Sequence, residues 1–150
     1  MELILWRHAD AEEGLVEGER KLTGKGLKQS ERMAAWLKQQ LPEDVLILVS
    51  PALRAQQTAR ALAEEFETTG AVGTAASPQS LLKAAGWPKG KGAVLVVGHQ
   101  PTLGQTAALL MTGKPADWSI RKGAVWWLVE REREGCSAVL LRAVLGPDLL

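Results

Sequence analysis

Three short apolar segments of the chain each run directly into residues that can bind or attack an anion. The first is followed by Arg7 and His8, and the second by Ser50 with Arg54 four residues later. The third is followed by His99, so that both histidines of the chain lie at such positions. If the three segments are parallel strands, their carboxyl ends meet at one edge of a sheet. Cations gathered there repel one another unless an anion lies between them, and forked guanidinium groups fit phosphate oxygens. The sequence therefore predicts a pocket for a phosphoryl group.

The elements that would position these residues alternate between strand and helix, which is typical of an α/β fold. Short apolar runs predict strands at residues 3–6, 45–49, 93–97, 124–130 and 138–144. Helical patterns lie at residues 24–41, 52–66, 79–85 and 102–111. The β-branched run at 45–49 indicates a strand covered on both faces. We expect a three-layer sandwich in which helices flank a mainly parallel central sheet, formed by residues 1–150 as a single domain.

Local signals predict where two of the helices begin. Ser50 followed by Pro51 indicates a helix start, with a capping hydroxyl and a proline at the first helical position. We therefore expect Ser50 to cap this helix rather than to contact a substrate, and Thr58 to serve helix packing. Thr23 can cap an earlier helix whose apolar positions follow helical spacing. Those positions are Leu27, Ala34, Leu37 and Leu41.

The composition excludes several classes of protein. The 150 residues carry 18 Lys and Arg against 17 Asp and Glu, and 46% of them are hydrophobic, which is ordinary for a folded domain. The net charge of +1 argues against binding nucleic acid or an anionic membrane by bulk electrostatics. Cys136 is the one cysteine, so neither an internal disulfide nor an ordinary Cys/His zinc site is expected. No apolar run is long enough for a signal peptide or a membrane span. We expect a cytoplasmic protein without a metal or cofactor.

The strand-end residues also belong to motifs that resemble those of the histidine phosphatase superfamily. Residues 5–11, around Arg7 and His8, resemble its Arg-His-Gly signature. Residues 50–58 are similar to its second motif and residues 97–99 to its third. Residues 20–26 resemble the corresponding segment of the small, SixA-type phosphohistidine phosphatases. The resemblance covers residues 2–130 with the motifs in the expected order, and it implies a phosphoglycerate mutase-like fold.

The resemblance implies a role for each matching residue. His8 corresponds to the nucleophile, whose neutral ring nitrogen would attack phosphorus and form a covalent phosphohistidine that water then hydrolyses. Arg7, Arg54 and His99 correspond to the phosphate ligands that stabilise the charge of the transition state. Arg20 matches an additional substrate-binding arginine of SixA-type members. A surface ion pair of Arg20 with Glu17 or Glu19 is an equally good interpretation.

Two departures from the family pattern bear on the chemistry. Ala9 replaces the usual glycine of the first motif, and a left-handed backbone there would be strained. Gln100 stands where one branch of the family has an acidic proton donor, and residues 68–87 contain no acidic residue. The remaining candidates for a general acid are the loop carboxylates Asp10, Glu12 and Glu13.

The missing acid indicates which substrates are favoured. An alcohol is a poor leaving group, with a pKa not far from the ~15.7 of water, whereas imidazole has a conjugate-acid pKa near ~6.5. We therefore expect hydrolysis of phosphohistidine on a protein of the phosphorelay or phosphotransfer type, by a monomeric enzyme. The alternatives are a broader phosphatase of small phosphorylated molecules that uses a loop carboxylate as acid, and a non-catalytic phospho-ligand-binding domain. A nucleotide-binding ATPase is excluded, because Gly113-Lys114 is followed by Pro115 rather than Ser or Thr.

Overall fold

A six-stranded mixed sheet forms the centre of the protein in a computed structural model that describes all residues from Met1 to Leu150. In chain order the strands are β1 (Glu2–Arg7), β2 (Leu46–Val49), β3 (Glu67–Thr68), β4 (Ala93–Gly98), β5 (Val125–Arg133) and β6 (Cys136–Leu145). Their order across the sheet is β3-β2-β4-β1-β5-β6. The first four strands pair in parallel, and β5 and β6 complete the sheet with antiparallel pairings. The expected α/β fold with a mainly parallel sheet is confirmed.

Four helices cover the two faces of the sheet and make the fold a three-layer sandwich. They are α1 (Gly24–Gln40), α2 (Leu53–Arg60), α3 (Pro78–Ala85) and α4 (Thr102–Thr112). Side chains of α1 and α2 pack into one apolar cluster, and side chains of α3 and α4 pack into the other. None of these helices combines the length and the apolarity that crossing a bilayer requires.

The alternation of side chains along β1 divides the core between the two faces of the sheet. Leu3 and Leu5 point into the cluster of α3 and α4, whereas Ile4 and Trp6 point into the cluster of α1 and α2. All four side chains are completely buried. Since burying one such side chain stabilises a fold by about 1.5–3 kcal/mol, this strand holds both helical layers to the sheet.

Three parallel strands end level with one another, which fixes where the functional residues lie. Arg7 at the end of β1 is in register with Gly98 at the end of β4, and Val49 at the end of β2 is in register with Val97. The residues that follow therefore leave the sheet side by side. This is the edge at which ligands bind in open α/β sheets.

Two expectations about helices were wrong. The helix after Pro51 begins at Leu53 without a side-chain cap and ends at Arg60, because the chain then turns back to pair β3 with β2. In α1, Thr23 caps the helix as expected, but Leu27 is exposed. Gly26 occupies the buried face instead, since the backbone of Asp10 approaches so closely that a Cβ would overlap its carbonyl oxygen.

Two strands also differ from expectation. The first residue of β2, Leu46, is 41% exposed, so only the second half of this strand is covered on both faces. The last two strands are longer than predicted and meet in a two-residue turn. Both turn residues have positive φ, 54° at Glu134 and 80° at Gly135, as the tightest hairpin turns require.

Candidate active site

The pocket at the carboxyl edge of the sheet brings together four of the residues that the sequence analysis singled out. The rings of His8 and His99 lie with their centroids 5.2 Å apart. Arg54, on the first turn of α2, and both histidines are buried, and Arg7 is half-buried. The charges of Arg7, Arg54 and His99 all act on His8 and lower its pKa. The predicted convergence of two imidazoles and two guanidinium groups is therefore present in the structure.

The ring of His8 is held in one tautomer. Its Nδ1 lies 2.7 Å from the carbonyl oxygen of Ala9, so Nδ1–H donates to this carbonyl and Nε2 carries the lone pair. Burial, together with the charges of His99, Arg54 and Arg7, lowers the pKa of His8 to about 3. Near neutral pH the ring is consequently unprotonated, and Nε2 is available as a nucleophile.

The backbone after β1 is fixed by side chains from other elements. The Ala9 N–H donates to Thr58 Oγ1 at 3.1 Å, and the Thr58 hydroxyl donates in turn to the Arg54 carbonyl at 2.7 Å. Ala9 does not have a positive φ, so alanine fits here without the strain that a left-handed backbone would bring. The assignment of Thr58 to helix packing was incomplete, since this hydroxyl links the loop that carries His8 to the helix that carries Arg54.

Ser50 contacts the second histidine, contrary to the expectation that it caps a helix. Its fully buried Oγ accepts a hydrogen bond from the Ala52 N–H and lies 2.7 Å from Nε2 of His99. We assign the hydroxyl as the donor to Nε2, which places the ring proton of His99 on Nδ1. Burial, with the charge of Arg54 next in size, lowers the pKa of His99 to about 4, so this ring is also neutral near pH 7.

Each of the two arginines is held by hydrogen bonding from the terminal end of its guanidinium group. Arg7 donates from Nη1 to the carbonyl oxygen of Ile120 at 2.9 Å. Arg54 donates from Nη1 to the Glu17 carbonyl at 2.7 Å and from Nη2 to the Glu17 carboxylate at 2.8 Å. Burial lowers the pKa of both arginines from its ordinary value. Both remain charged at neutral pH, because the pKa of arginine starts so far above it.

Three buried side-chain nitrogens in the whole protein have no hydrogen-bond partner, and all three belong to this pocket. They are Nε of Arg7, Nε of Arg54 and Nδ1 of His99. Each carries a proton, since arginine is a donor only and Ser50 directs the proton of His99 to Nδ1. Buried donors are otherwise almost always paired, because an unpaired one costs about 1–3 kcal/mol. Three such donors beside a neutral nucleophilic nitrogen suit an oxyanion that bears an electrophilic centre.

Arg20 lies at the edge of this pocket. Its Nη1 is 3.1 Å from Oε1 of Glu17, and its Nε donates to the Glu12 carbonyl at 2.7 Å. Of the two ion pairs considered, the structure therefore has the one with Glu17 and not the one with Glu19. The same oxygen of Glu17 accepts from Arg54, and the charge of Arg20 contributes to the low pKa of His99. A role for Arg20 in binding substrate stays a prediction.

The three carboxylates considered as proton donors, and the glutamine that stands in place of an acid, are placed elsewhere or engaged. Asp10 accepts from the Thr23 hydroxyl at 2.8 Å and pairs with Lys122 at 3.1 Å, contacts that hold the pKa of its carboxyl below the usual value. Glu12 and Glu13 are exposed on the loop. Gln100 uses both ends of its amide group, on the Trp118 carbonyl and the Gly104 N–H. Glu17, which the sequence analysis had considered only as a partner of Arg20, is the carboxylate that contacts the cationic cluster.

A cleft is lined in part by Ser50, the residue whose hydroxyl contacts His99. Its volume is ≈ 310 Å³, and no charged side chain lines it. The lining residues come from the loop after β1, the end of β2 and the loop after β3. They are Gly18, Ser50, Pro51, Ala52, Gly70, Gly73, Thr74 and Ala75.

Comparison with known proteins identifies relatives of this chain. The family model described as Histidine phosphatase superfamily (branch 1) matches residues 3–73. Phosphohistidine phosphatase SixA of Escherichia coli (strain K12) is 34% identical in an alignment of length 128 that covers 76% of this chain and 76% of that protein. A solved structure of the protein histidine phosphatase SixA complexed with tungstate has a TM-score of 0.80 at 26% identity and covers 99% of both chains. A phosphoserine phosphatase from Entamoeba histolytica shares the fold, with a TM-score of 0.70 at 16% identity over 95% of both chains.

Proposed function

The chain belongs to the histidine phosphatase superfamily and is a SixA-like phosphatase, and on this premise we propose that it removes the phosphoryl group from phosphohistidine on a protein, through a covalent phosphohistidine at His8. The observation that carries this proposal is the set of three buried donors without partners beside the neutral Nε2 of His8. A phosphoryl group supplies both the acceptors for these donors and the electrophile for the nitrogen. The relative of known structure holds tungstate, an oxyanion of similar shape.

In the first step the lone pair of His8 Nε2 attacks phosphorus and forms a nitrogen–phosphorus bond. The other ring nitrogen of the substrate histidine takes a proton from solvent, and the bond from phosphorus to the substrate nitrogen breaks with its electron pair on the ring, which leaves as neutral imidazole. In the second step water attacks phosphorus, the bond to His8 breaks, and phosphate leaves with release of the water proton. Arg7, Arg54 and His99 donate to the equatorial oxygens, whose charge is spread in the transition state.

The surroundings of the pocket favour phosphohistidine over alkyl phosphates. Glu17 Oε1 is engaged by hydrogen bonds from two arginines. Asp10 is held in its ionised form by Thr23 and Lys122. An alkoxide would therefore depart without a protein acid, whereas imidazole departs readily because it is a far weaker base than an alkoxide.

The shape of the pocket entrance supports a protein as substrate. The cleft of ≈ 310 Å³ beside Ser50 is open and lined by small residues, so an imidazole that projects from another protein has room to enter. On the loop after β1 that also supplies Gly18 to this cleft, Leu15 is fully exposed and Val16 is 57% exposed. A protein docked on this loop would remove these two apolar side chains from water, which favours docking. We infer that a phosphotransfer-type protein docks over this entrance.

The experiment compares three phosphorylated substrates with the purified protein. Release of inorganic phosphate is measured from a phosphohistidine-bearing protein, from an aryl phosphate with an acidic phenol as leaving group, and from an alkyl phosphate. We expect kcat/KM to fall in this order, with His8→Ala inactive on all three. Preference for the alkyl phosphate would refute the substrate assignment and favour a broader phosphomonoesterase. Tight binding of phosphate without turnover of any substrate would favour a binding domain.

A further inference from the structure

Glu17 is the one residue that accepts hydrogen bonds from the guanidinium group of Arg54. Its backbone carbonyl accepts from Nη1 at 2.7 Å, and its carboxylate Oε1 accepts from Nη2 at 2.8 Å. The same Oε1 also accepts from Nη1 of Arg20 at 3.1 Å. The side chain of Glu17 is 62% exposed, whereas that of Arg54 is only 4% exposed. A residue at the surface thus determines the orientation of a buried cation.

The donors of Arg54 divide into two edges. A guanidinium group has five N–H donors in a rigid plane. Glu17 accepts one hydrogen bond from each of the two terminal nitrogens, Nη1 and Nη2. These bonds occupy the outer edge of the group. The Nε–H of the inner edge is buried and has no partner. Because the group is planar, fixing the outer edge also fixes the direction in which the inner edge presents its donor.

We propose that Glu17 is a positioning residue of the phosphatase, whose carbonyl and carboxylate hold Arg54 so that the Nε edge of Arg54 faces the bound phosphoryl group. The proposal rests on the oxyanion pocket described above and adds a residue outside the family motifs. Glu17 itself does not touch the substrate. It acts through Arg54 and, by the shared Oε1, keeps Arg20 at the rim of the same pocket.

The loop that carries Glu17 has few other ties to the rest of the protein. Glu17 begins a 3-10 turn, Glu17–Glu19, that has no side-chain cap. Its neighbours Leu15 and Val16 are exposed. The hydrogen bonds that join this turn to α2 all run between Glu17 and Arg54. Loss of the Glu17 side chain removes the bond to Nη2 of Arg54 and leaves the bond from Nη1 to the Glu17 carbonyl, so the guanidinium group loses one of its two anchors while the core is undisturbed.

A negative charge beside a phosphoryl site also repels the substrate, so the test must separate position from charge. Glu17→Gln removes the charge but keeps an amide oxygen that reaches Arg54. Glu17→Asp keeps the charge but shortens the side chain by one methylene, so its carboxylate no longer reaches Arg54. Glu17→Ala removes both the charge and the oxygen that contacts Arg54. Glu19→Ala is the matched control, because Glu19 lies on the same turn and its side chain makes no hydrogen bond.

The measurement is calorimetric titration of each variant with inorganic phosphate, together with kcat and KM for the phosphohistidine protein. Since a hydrogen bond to a charged group is worth about 1.5–3 kcal/mol, Glu17→Ala and Glu17→Asp should bind phosphate at least about tenfold more weakly than wild type. Glu17→Gln should remain within about threefold of wild type, and Glu19→Ala should equal it. We expect kcat to follow the same order, with the melting temperature unchanged in all variants.

Three outcomes would overturn the proposal. Equal affinities of Glu17→Ala and Glu17→Gln for phosphate would show that the hydrogen bond from the side chain of residue 17 to Arg54 does not matter. Tighter binding by Glu17→Ala than by wild type would show that Glu17 competes with phosphate as an internal anion. Failure of the wild type to bind phosphate would remove the pocket on which the proposal rests. The titration needs no turnover, so a wild type that binds phosphate but does not cleave phosphohistidine refutes the proposed function and leaves the role of Glu17 intact.

Discussion

The neutral state of His8 has a consequence for stability that can be measured without any substrate. The pKa of His8 is lowered from 6.5 to about 3, chiefly by burial. In the unfolded chain this histidine regains its ordinary pKa and takes up a proton as the pH falls below about 6.5. Between these two pKa values the unfolded state binds more protons than the folded state. The contribution of His8 is therefore fully present above pH 6.5 and is lost progressively as the solution is acidified.

The size of the effect follows from the pKa difference. One pKa unit corresponds to about 1.4 kcal/mol. At pH 4.5, two units below the unfolded pKa and still above the folded one, His8 should cost the fold roughly 3 kcal/mol relative to pH 7. His8→Asn removes this titration while its amide nitrogen can still donate to the Ala9 carbonyl as Nδ1 does. The free energy of unfolding of the wild type should therefore fall by roughly 3 kcal/mol more than that of His8→Asn over this range.

The assay is urea unfolding of both proteins at pH 8, 7, 5.5 and 4.5, in buffers without phosphate. The difference between the two free energies of unfolding should be constant from pH 8 to 7 and should then change steadily. His99 and the carboxylates titrate in both proteins, so their contributions largely cancel. A difference that does not change down to pH 4.5 would mean that His8 titrates normally in the folded protein. The account of a desolvated, unprotonated nucleophile would then be wrong.

Three substitutions around the pocket test the contacts that position its donors. Arg54→Lys replaces the forked guanidinium group by a single ammonium, and we expect it to weaken phosphate binding about ten- to a hundredfold in calorimetry; unchanged affinity would exclude Arg54 from the site. Ser50→Ala removes the hydroxyl bonded to Nε2 of His99, so kcat should fall by about tenfold or more; it also leaves the Ala52 N–H without an acceptor, so the free energy of unfolding should fall by about 1–3 kcal/mol, and an unchanged kcat would contradict the role of this hydroxyl. Thr58→Val leaves the buried Ala9 N–H without an acceptor and should lower the free energy of unfolding by about 1–3 kcal/mol; a variant as stable as the wild type would contradict this contact.

The location of the pocket could be predicted from the sequence because it depends on a property of parallel sheets. Each of the three strands is marked by a short apolar run that stops at a polar residue, and parallel strands end at a common edge. Arg7 is in register with Gly98, and this register brings His8 and His99 together. To predict this proximity, only the order of the strands has to be known. The resemblance to the family motifs then indicated the chemical role of each residue, after the strand pattern had already constrained its position.

The polar contacts inside the pocket could not be predicted in the same way. A serine followed by proline has the same local signature whether its hydroxyl caps a helix or closes a turn and reaches a neighbouring strand, so Ser50 was assigned to the wrong role. Thr58 and Glu17 act on partners 49 and 37 residues away along the chain. Periodicity reports which face of an element is buried, but it contains no information about the partner across such a distance.

The departures from the predicted helices also have tertiary causes. The apolar spacing of α1 suggested Leu27 for its buried face, but the close approach of the Asp10 backbone admits only Gly26 there and turns Leu27 outward. In α2 the sequence has no stop signal after Arg60, and the helix ends because the chain must return to the sheet edge. Both features are decided by tertiary packing rather than by the propensity of the residues themselves.

Phosphorylation trapping tests the central proposal, the attack of His8 on phosphorus, most directly. The protein is mixed with a phosphohistidine-bearing substrate labelled in the phosphoryl group, quenched in base within milliseconds to seconds, and digested for mass spectrometry. We expect an acid-labile, base-stable phosphoryl group on the peptide that contains His8, and its absence in His8→Ala. A label on His99 instead of His8, or rapid turnover by the His8→Ala variant, would contradict the proposal.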